Sequence, residues 1–194
     1  MRFIDLFGGI GGFRLGMERA GHECVWYCDI DKGTIKIYNR RFEENNIPTD
    51  ITKMDVKSIP SHEVLCAGFP CQTFSFAGQR KGFEDTRGTL FFEIVRIARH
   101  HKPKILFLEN VKGLLSAGPI ISIDSQEGQT ETVTLKGYYF FRILESLDEI
   151  GYDVEWKVLN SKHFGVPQNR ERVFIIGHLR EGSRQEISVI EEGS

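Results

Sequence analysis

Glu63-Val64-Leu65-Cys66-Ala67-Gly68-Phe69-Pro70-Cys71-Gln72-Thr73-Phe74-Ser75 runs from an apolar stretch into a turn, and this passage decides how the chain is read. Residues 63–66 predict the end of a short buried strand, which Gly68 and Pro70 then break, turning the chain outward. Cys71 therefore stands on a loop just past a strand. In an open α/β sheet that edge is where ligands bind, so a thiol there meets a substrate. Taken alone, a loop cysteine is more often a small apolar filler, which is the expectation for Cys66.

Toward the N-terminus, Arg2-Phe3-Ile4-Asp5-Leu6-Phe7 reads as a strand opening into Gly8-Gly9-Ile10-Gly11-Gly12. A helix from about Phe13 to Ala20 follows, ended by Gly21. Glycines between a strand and a helix let the backbone pass close to a ligand, where the helix N-terminus supplies N–H groups. The dinucleotide fingerprint Gly-x-Gly-x-x-Gly fails on spacing: counted from Gly9 and Gly11, its last position is Arg14. A second strand, His22 to Tyr27, leads through Cys28-Asp29-Ile30-Asp31 into a helix running to about Glu44. Asp29, at the end of that strand, stands where a ribose diol is commonly caught, and Asp31 is better placed as the N-cap. By spacing alone Asp50, in Thr49-Asp50-Ile51-Thr52, is a cap or turn residue.

Toward the C-terminus, Gly78 to Gly88 continues a long polar, glycine-rich loop with Arg80, Lys81 and Arg87 suited to phosphates; such loops are usually functional. A helix from Thr89 to His100 buries Leu90, Phe91, Ile94 and Ala98. Lys104 to Leu108 is a buried strand with Glu109 at its C-terminal end. Gly9, Asp29, Cys71 and Glu109 are thus gathered at one sheet edge. Ser116 to Gly137 is polar without a sustained period and reads as a surface loop. A helix carrying Phe140, Ile143, Leu144, Leu147 and Ile150 follows, then a strand at 154–159, a loop from Phe164 to Arg172 and a strand at 173–177. Residues 181–194 read as a charged tail. Alternating strands and helices predict an α/β fold: a doubly wound, mostly parallel sheet with helices on both faces.

At 194 residues, 40% hydrophobic and 27% charged, the chain has the composition of a soluble globular protein with one core. There is no apolar run of membrane-span length and no signal-peptide pattern, so a cytoplasmic protein is expected. The cysteines at 24, 28, 66 and 71 lack paired metal spacing and a disulfide framework. The net charge of −2 does not favour a nucleic-acid partner, although local basic clusters matter more than the total.

Gly-Phe-Pro-Cys-Gln at 68–72, Phe-x-Gly-x-Gly at 7–11, Glu109-Asn110-Val111 and Gln168-Asn169-Arg170-Glu171-Arg172 together resemble the C5-specific DNA cytosine methyltransferases. The resemblance covers about residues 2–180. It implies a Rossmann-like methyltransferase fold and S-adenosylmethionine as cofactor, held by Phe7, Gly9, Gly11, Asp29, Ile30, Asp50, Ile51 and Leu90. It implies double-stranded DNA as partner, met by Gln72, Ser75, Arg80, Lys81 and Arg87, and a setting in restriction–modification or a related system. Complete members continue into a target recognition domain and a closing helix. Neither is found in this sequence, and a recognition domain on a second polypeptide is the corresponding expectation. Relative to the family, 116–137 is an insertion.

The chemistry explains the residue types. C5 of cytosine becomes nucleophilic once a thiolate adds to C6, which is the role implied for Cys71. Negative charge then builds toward N3, where an acid is needed, and Glu109 is the candidate. Arg170 and Arg172, two apart on an extended segment, point the same way and could hold the cytosine O2, the acid or a phosphate; the alternative is a surface ion-pair strip with Glu171. The target base has to leave the stack. Two other readings remain open. A thiol hydrolase would need a histidine base in a recognisable motif near Cys71, and none is present. The second is a split or truncated half that binds cofactor or DNA and is inactive alone.

Overall fold

The structure is a computed structural model that describes residues 1–70, 90–124 and 130–180. Its frame is a six-stranded sheet in the order β2-β1-β3-β4-β8-β7. Here β1 is Arg2–Leu6, β2 Glu23–Cys28, β3 Val64–Gly68, β4 Ile105–Val111, β7 Tyr152–Asn160 and β8 Glu171–Leu179. Strands β2, β1, β3 and β4 run parallel, whereas β8 is antiparallel to both β4 and β7. The sheet is therefore mixed, parallel in the half that begins the chain.

Helices α1 (Gly12–Arg19), α2 (Lys32–Phe42), α3 (Leu90–His101) and α4 (Tyr138–Glu149) complete the frame. The alternation along β4 sorts the two faces: Leu106 and Leu108 point to the larger core with Phe91, Ile94 and Ala98 of α3 and Ile143 and Leu147 of α4. On the other face, Phe3, Val64 and Cys66 pack with Met17 of α1. Helices thus cover both faces, as the alternation of elements predicts.

Two spans differ from the sequence reading. β4 does not stop at Leu108 but continues to Val111, because β8 supplies pairing partners as far as Arg172. Glu109 and Arg172 are consequently ladder residues rather than loop residues. The 116–137 segment, expected as a loop, contains a separate two-stranded hairpin of β5 (Ile120–Asp124) and β6 (Thr130–Thr134). Its threonine-rich, β-branched sequence around Gly128 favours strands even without apolar alternation. Among the described residues, no helix is long and apolar enough to cross a membrane.

Candidate active site at the C-terminal sheet edge

The parallel strands β1, β2, β3 and β4 end on one edge, and the residues of interest stand there. β1 runs into Phe7, which adopts φ 53°, and the chain then folds back so that Gly11 N–H donates to the Gly8 carbonyl at 2.8 Å. The loop is built around what cannot be there. A Cβ on Gly8 would lie 2.7 Å from Asp5 Oδ2 and 2.8 Å from the Tyr27 ring, and one on Gly11, at φ 87°, would lie 2.3 Å from the Phe42 ring. At Gly9, φ 53°, the corresponding position is open space. Gly11 caps α1 without a side-chain hydrogen bond. The result is a bare backbone cradle at a helix N-terminus, the setting in which main-chain N–H groups meet polar ligand atoms.

Asp29 ties this cradle to the end of β2. Its Oδ2 accepts from Gly9 N–H and its Oδ1 from Asp31 N–H, both at 2.9 Å. The two carboxyl oxygens have further lone pairs beyond these two bonds, so capacity for a diol remains. Asp31 caps α2 by accepting from Thr34 N–H at 2.7 Å, as its spacing suggests. Thr49 N–H donates to the Asp29 carbonyl at 2.8 Å and brings the next candidate alongside. There Asp50 caps a short 3-10 turn, accepting from the Thr52 N–H and hydroxyl. Ile30 is 65% exposed beside Asp29, an apolar surface next to the carboxylate, whereas Ile51 is turned into the main core. Leu90, the first residue of α3, is half-buried against the same core, as is Phe7.

Beneath the cradle lies a residue that the sequence reading passed over. Asp5 is fully buried and neither carboxylate oxygen has a hydrogen-bond partner of normal geometry. Burial pushes its carboxyl up to about 7, against the downward pull of the Arg14 backbone N–H and charge, with Asp29 adding a further push. The signal available in the sequence was a lone acid inside an otherwise apolar strand. Arg14 was likewise missed as a functional support. Its guanidinium lies 4.2 Å over the Phe42 ring and bonds Glu18, Tyr38 and Glu44, locking α1 to the end of α2.

The second half of the edge is built by pairing. Gly68 of β3 stands opposite Glu109 of β4, and Val111 stands opposite Arg172 of β8. Glu109 and Val111 share a face, so Arg172 is the diagonal neighbour of Glu109. Its Nε reaches Glu109 Oε1 at 2.9 Å, and Arg170 approaches the same oxygen at 3.8 Å. Glu171, between them, faces away and pairs with Lys112 at 3.0 Å, so the strip of alternating charges has two sides with different partners. The loop bearing Arg170 is stapled by Asn160, whose Nδ2 donates to Asn169 Oδ1 and whose Oδ1 accepts from Arg170 N–H. Ser161 adds bonds to the Gln168 and Arg170 carbonyls.

Cys71 follows directly on Pro70, the last described residue of this stretch, and lies outside the described residues, as do Gln72, Ser75, Arg80, Lys81 and Arg87. The other three cysteines are free thiols that burial keeps protonated: Cys24 is pushed up to about 11, Cys28 to about 12 and Cys66 well above its ordinary value. Among the described residues, no cluster of His, Cys, Asp and Glu could hold a metal ion.

A family model described as C-5 cytosine-specific DNA methylase matches residues 1–192. The Type II methyltransferase M.HhaI of Haemophilus parahaemolyticus is 46% identical over 176 residues, covering 91% of this chain and 48% of that protein. M.HpaII of Haemophilus parainfluenzae is 47% identical over 180 residues, covering 90% of this chain and 45% of that protein. The chain thus spans about half the length of the curated relatives it matches. Among solved structures, the S. pombe Dnmt2 methyltransferase superposes with a TM-score of 0.69 at 22% identity, over 98% of this chain and 53% of that one. A glycopeptide N-methyltransferase, MtfA, solved in complex with S-adenosyl-L-methionine, gives 0.53 at 12% identity, over 92% and 87%. These two establish the fold, a Rossmann-like methyltransferase sheet.

Proposed function

The chain belongs to the C-5 cytosine-specific DNA methylase family, and on that premise we propose that it takes part in transferring a methyl group from S-adenosylmethionine to C5 of cytosine in double-stranded DNA, in a Type II restriction–modification setting. The observation that carries the reading is the Glu109–Arg172 pair, 2.9 Å apart, with Glu109 directly opposite Gly68, the last residue of the strand that leads into Pro70 and Cys71. An acid and a thiol-bearing segment on adjacent strand ends are what nucleophilic activation of a pyrimidine needs.

The residues present fit the cofactor. The open cradle at Gly9, the Asp29 carboxylate beside it and the exposed Ile30 would hold an adenosyl group, with Asp50 alongside. When bound, S-adenosylmethionine supplies an electrophilic methyl carbon on a sulfonium. Cys71 adds its thiolate to C6 of the base, and the ring π electrons move toward N3, where Glu109 holds the proton that balances them. Arg172 and Arg170 orient Glu109 and steady its charge. C5, so activated, would take the methyl carbon while the sulfonium sulfur keeps the electron pair of the broken bond, and N3 returns its proton to Glu109; loss of the C5 proton with expulsion of the Cys71 sulfur from C6 then restores the aromatic ring, now methylated. Gln72, Ser75, Arg80, Lys81 and Arg87 assist by holding the strand and the gap that a flipped base leaves.

Labelled S-adenosylmethionine incubated with mixed-sequence DNA tests the activity, and sequencing the product gives the target. DNA carrying 5-fluorocytosine is expected to become covalently trapped, because fluorine cannot leave as a cation. A Cys71→Ser chain that still formed the adduct would remove Cys71 from its role.

A further inference from the structure

We infer that the connection between β7 and β8, residues 161–170, is a preformed contact surface for double-stranded DNA, its apolar tip entering a groove while its basic flanks meet phosphates. The inference rests on the functional reading above for the identity of the partner. The loop rises from the edge where Leu159 stands opposite Arg172 and Asn160 opposite Glu171, so it shares its base with the Glu109–Arg172 pair. Its tip is apolar and open: Phe164 is 65% exposed and Val166 46% exposed, and Pro167 beside them is exposed as well. Single apolar residues on a surface are ordinary, but three within four positions at one loop tip leave apolar area for a partner to cover.

A loose loop loses part of such contacts to the entropy of being ordered, and this loop is already braced. Ser161 N–H donates to the Arg170 carbonyl at 3.1 Å and the Ser161 hydroxyl to the Gln168 carbonyl at 2.6 Å, which closes the base. Nearer the tip, Phe164 N–H donates to the Ser161 carbonyl at 2.9 Å and Gln168 N–H to the Val166 carbonyl at 2.8 Å. Gly165 between them turns the chain at φ 83°. Charge selects the partner. In a chain of net charge −2, residues 156–170 contain no Asp or Glu, while Lys162, His163 and Arg170 flank the tip. Lys162 extends from a fixed point, since its N–H donates to Asn160 Oδ1 at 3.2 Å. Cations that engage phosphates around an apolar wedge that meets sugars and base edges are the combination a duplex groove accepts.

Fluorescence anisotropy of a labelled DNA duplex, titrated with the full chain at several salt concentrations, tests the inference. Phe164→Ala is expected to weaken binding at least about threefold, the loss that follows removal of an aromatic contact with a base. Lys162→Ala is expected to lower the slope of log affinity against log salt by about 1, the signature of one phosphate contact. Both side chains are exposed, so neither change opens the core; Val166→Ala serves where Phe164→Ala does not fold. Phe141→Ala, 58% exposed on α4, is the control and is expected to leave the affinity unchanged. Unchanged affinity in Phe164→Ala, an equal loss in Phe141→Ala, or no duplex binding by the unaltered chain overturns the proposal. A change of oligomeric state on size exclusion with Phe164→Ala also overturns it, because the tip then belongs to a second copy. Methyl transfer by the unaltered chain is measured separately. Transfer that persists while the loop variants bind normally removes this surface and leaves the functional reading; variants that lose affinity where no transfer is seen do the reverse.

Discussion

Asp5 is the residue whose environment is most at odds with its chemistry. It is held on the α1 side of β1 with no full hydrogen bond, facing Arg14, Asp29, Tyr27, Tyr38, Cys24 and Cys66. Of these only Arg14 carries compensating charge, and its guanidinium is already engaged by Glu18 and Glu44. With the folded carboxyl at about 7 against an ordinary 3.8, the folded state holds a proton through that window that the unfolded chain has released. Asp5 therefore adds stability below the unfolded value, and this is lost as pH rises toward the folded value. The span corresponds to on the order of 4 kcal/mol. Asp5→Asn, which carries no titrating proton, is expected to gain stability relative to the unaltered chain on going from pH 5 to pH 8. Urea unfolding at both pH values checks this, and a difference independent of pH would mean that Asp5 is ionised throughout. The place of Asp29 at the end of β2 could be read from sequence because the strand and the helix cap that follows it are both local signals. Asp5 could not, because its importance lies in what packs over it, and that is decided by the glycine cradle and by α1.

At the scale of elements, the junction of β1 with α1 depends on two glycines that differ in what they tolerate. Gly11 has φ 87° and no room beside the Phe42 ring, whereas Gly12, the first residue of α1, has nothing within 4 Å of where a Cβ would stand. Gly11→Ala is expected to destabilise by about 2 kcal/mol or more, combining left-handed strain with overpacking. Gly12→Ala should be neutral or stabilise by about 0.5–1 kcal/mol. Thermal melts of the pair discriminate: equal losses would show that the cradle tolerates no side chain at all, whatever the local space. Element types were legible because glycine and proline punctuate the apolar runs at 8–12, 21, 68–70 and 151. The direction of β8 was not, since a strand's partners lie far away in sequence, and with that direction went the length of β4 and the ladder position of Glu109. Asn160 escaped for the same reason: it bonds to backbone that the completed sheet holds in place.

On the scale of the whole molecule, the β5–β6 hairpin stands apart, since it forms its own sheet and shares no rung with the six-stranded one. Its stem is closed where Leu135 N–H donates to the Pro119 carbonyl at 2.9 Å, and Gly118 lies so near the Leu135 carbonyl that no side chain fits. The two ends of the hairpin segment are therefore adjacent. Joining Gly118 to Lys136, with 119–135 removed, is expected to leave the six-stranded sheet and its cooperative melt intact, at a change within about 2 kcal/mol, because Ile120, Val133 and Leu135, the large apolar residues described as exposed there, bury little surface. Circular dichroism and thermal unfolding of the shortened chain check this; loss of cooperative melting would make the hairpin part of the core. The strand order has a consequence for biosynthesis. β7 leaves the ribosome before β8 but pairs with the sheet only through it, so until about residue 180 has emerged the growing chain has an open edge along β4 and an unpaired strand. Glu109 is synthesised more than sixty residues ahead of the arginine that pairs with it. A nascent chain halted in that interval carries an acid without its cation, and the arrival of β8 both joins β7 to the sheet and completes the ion pair.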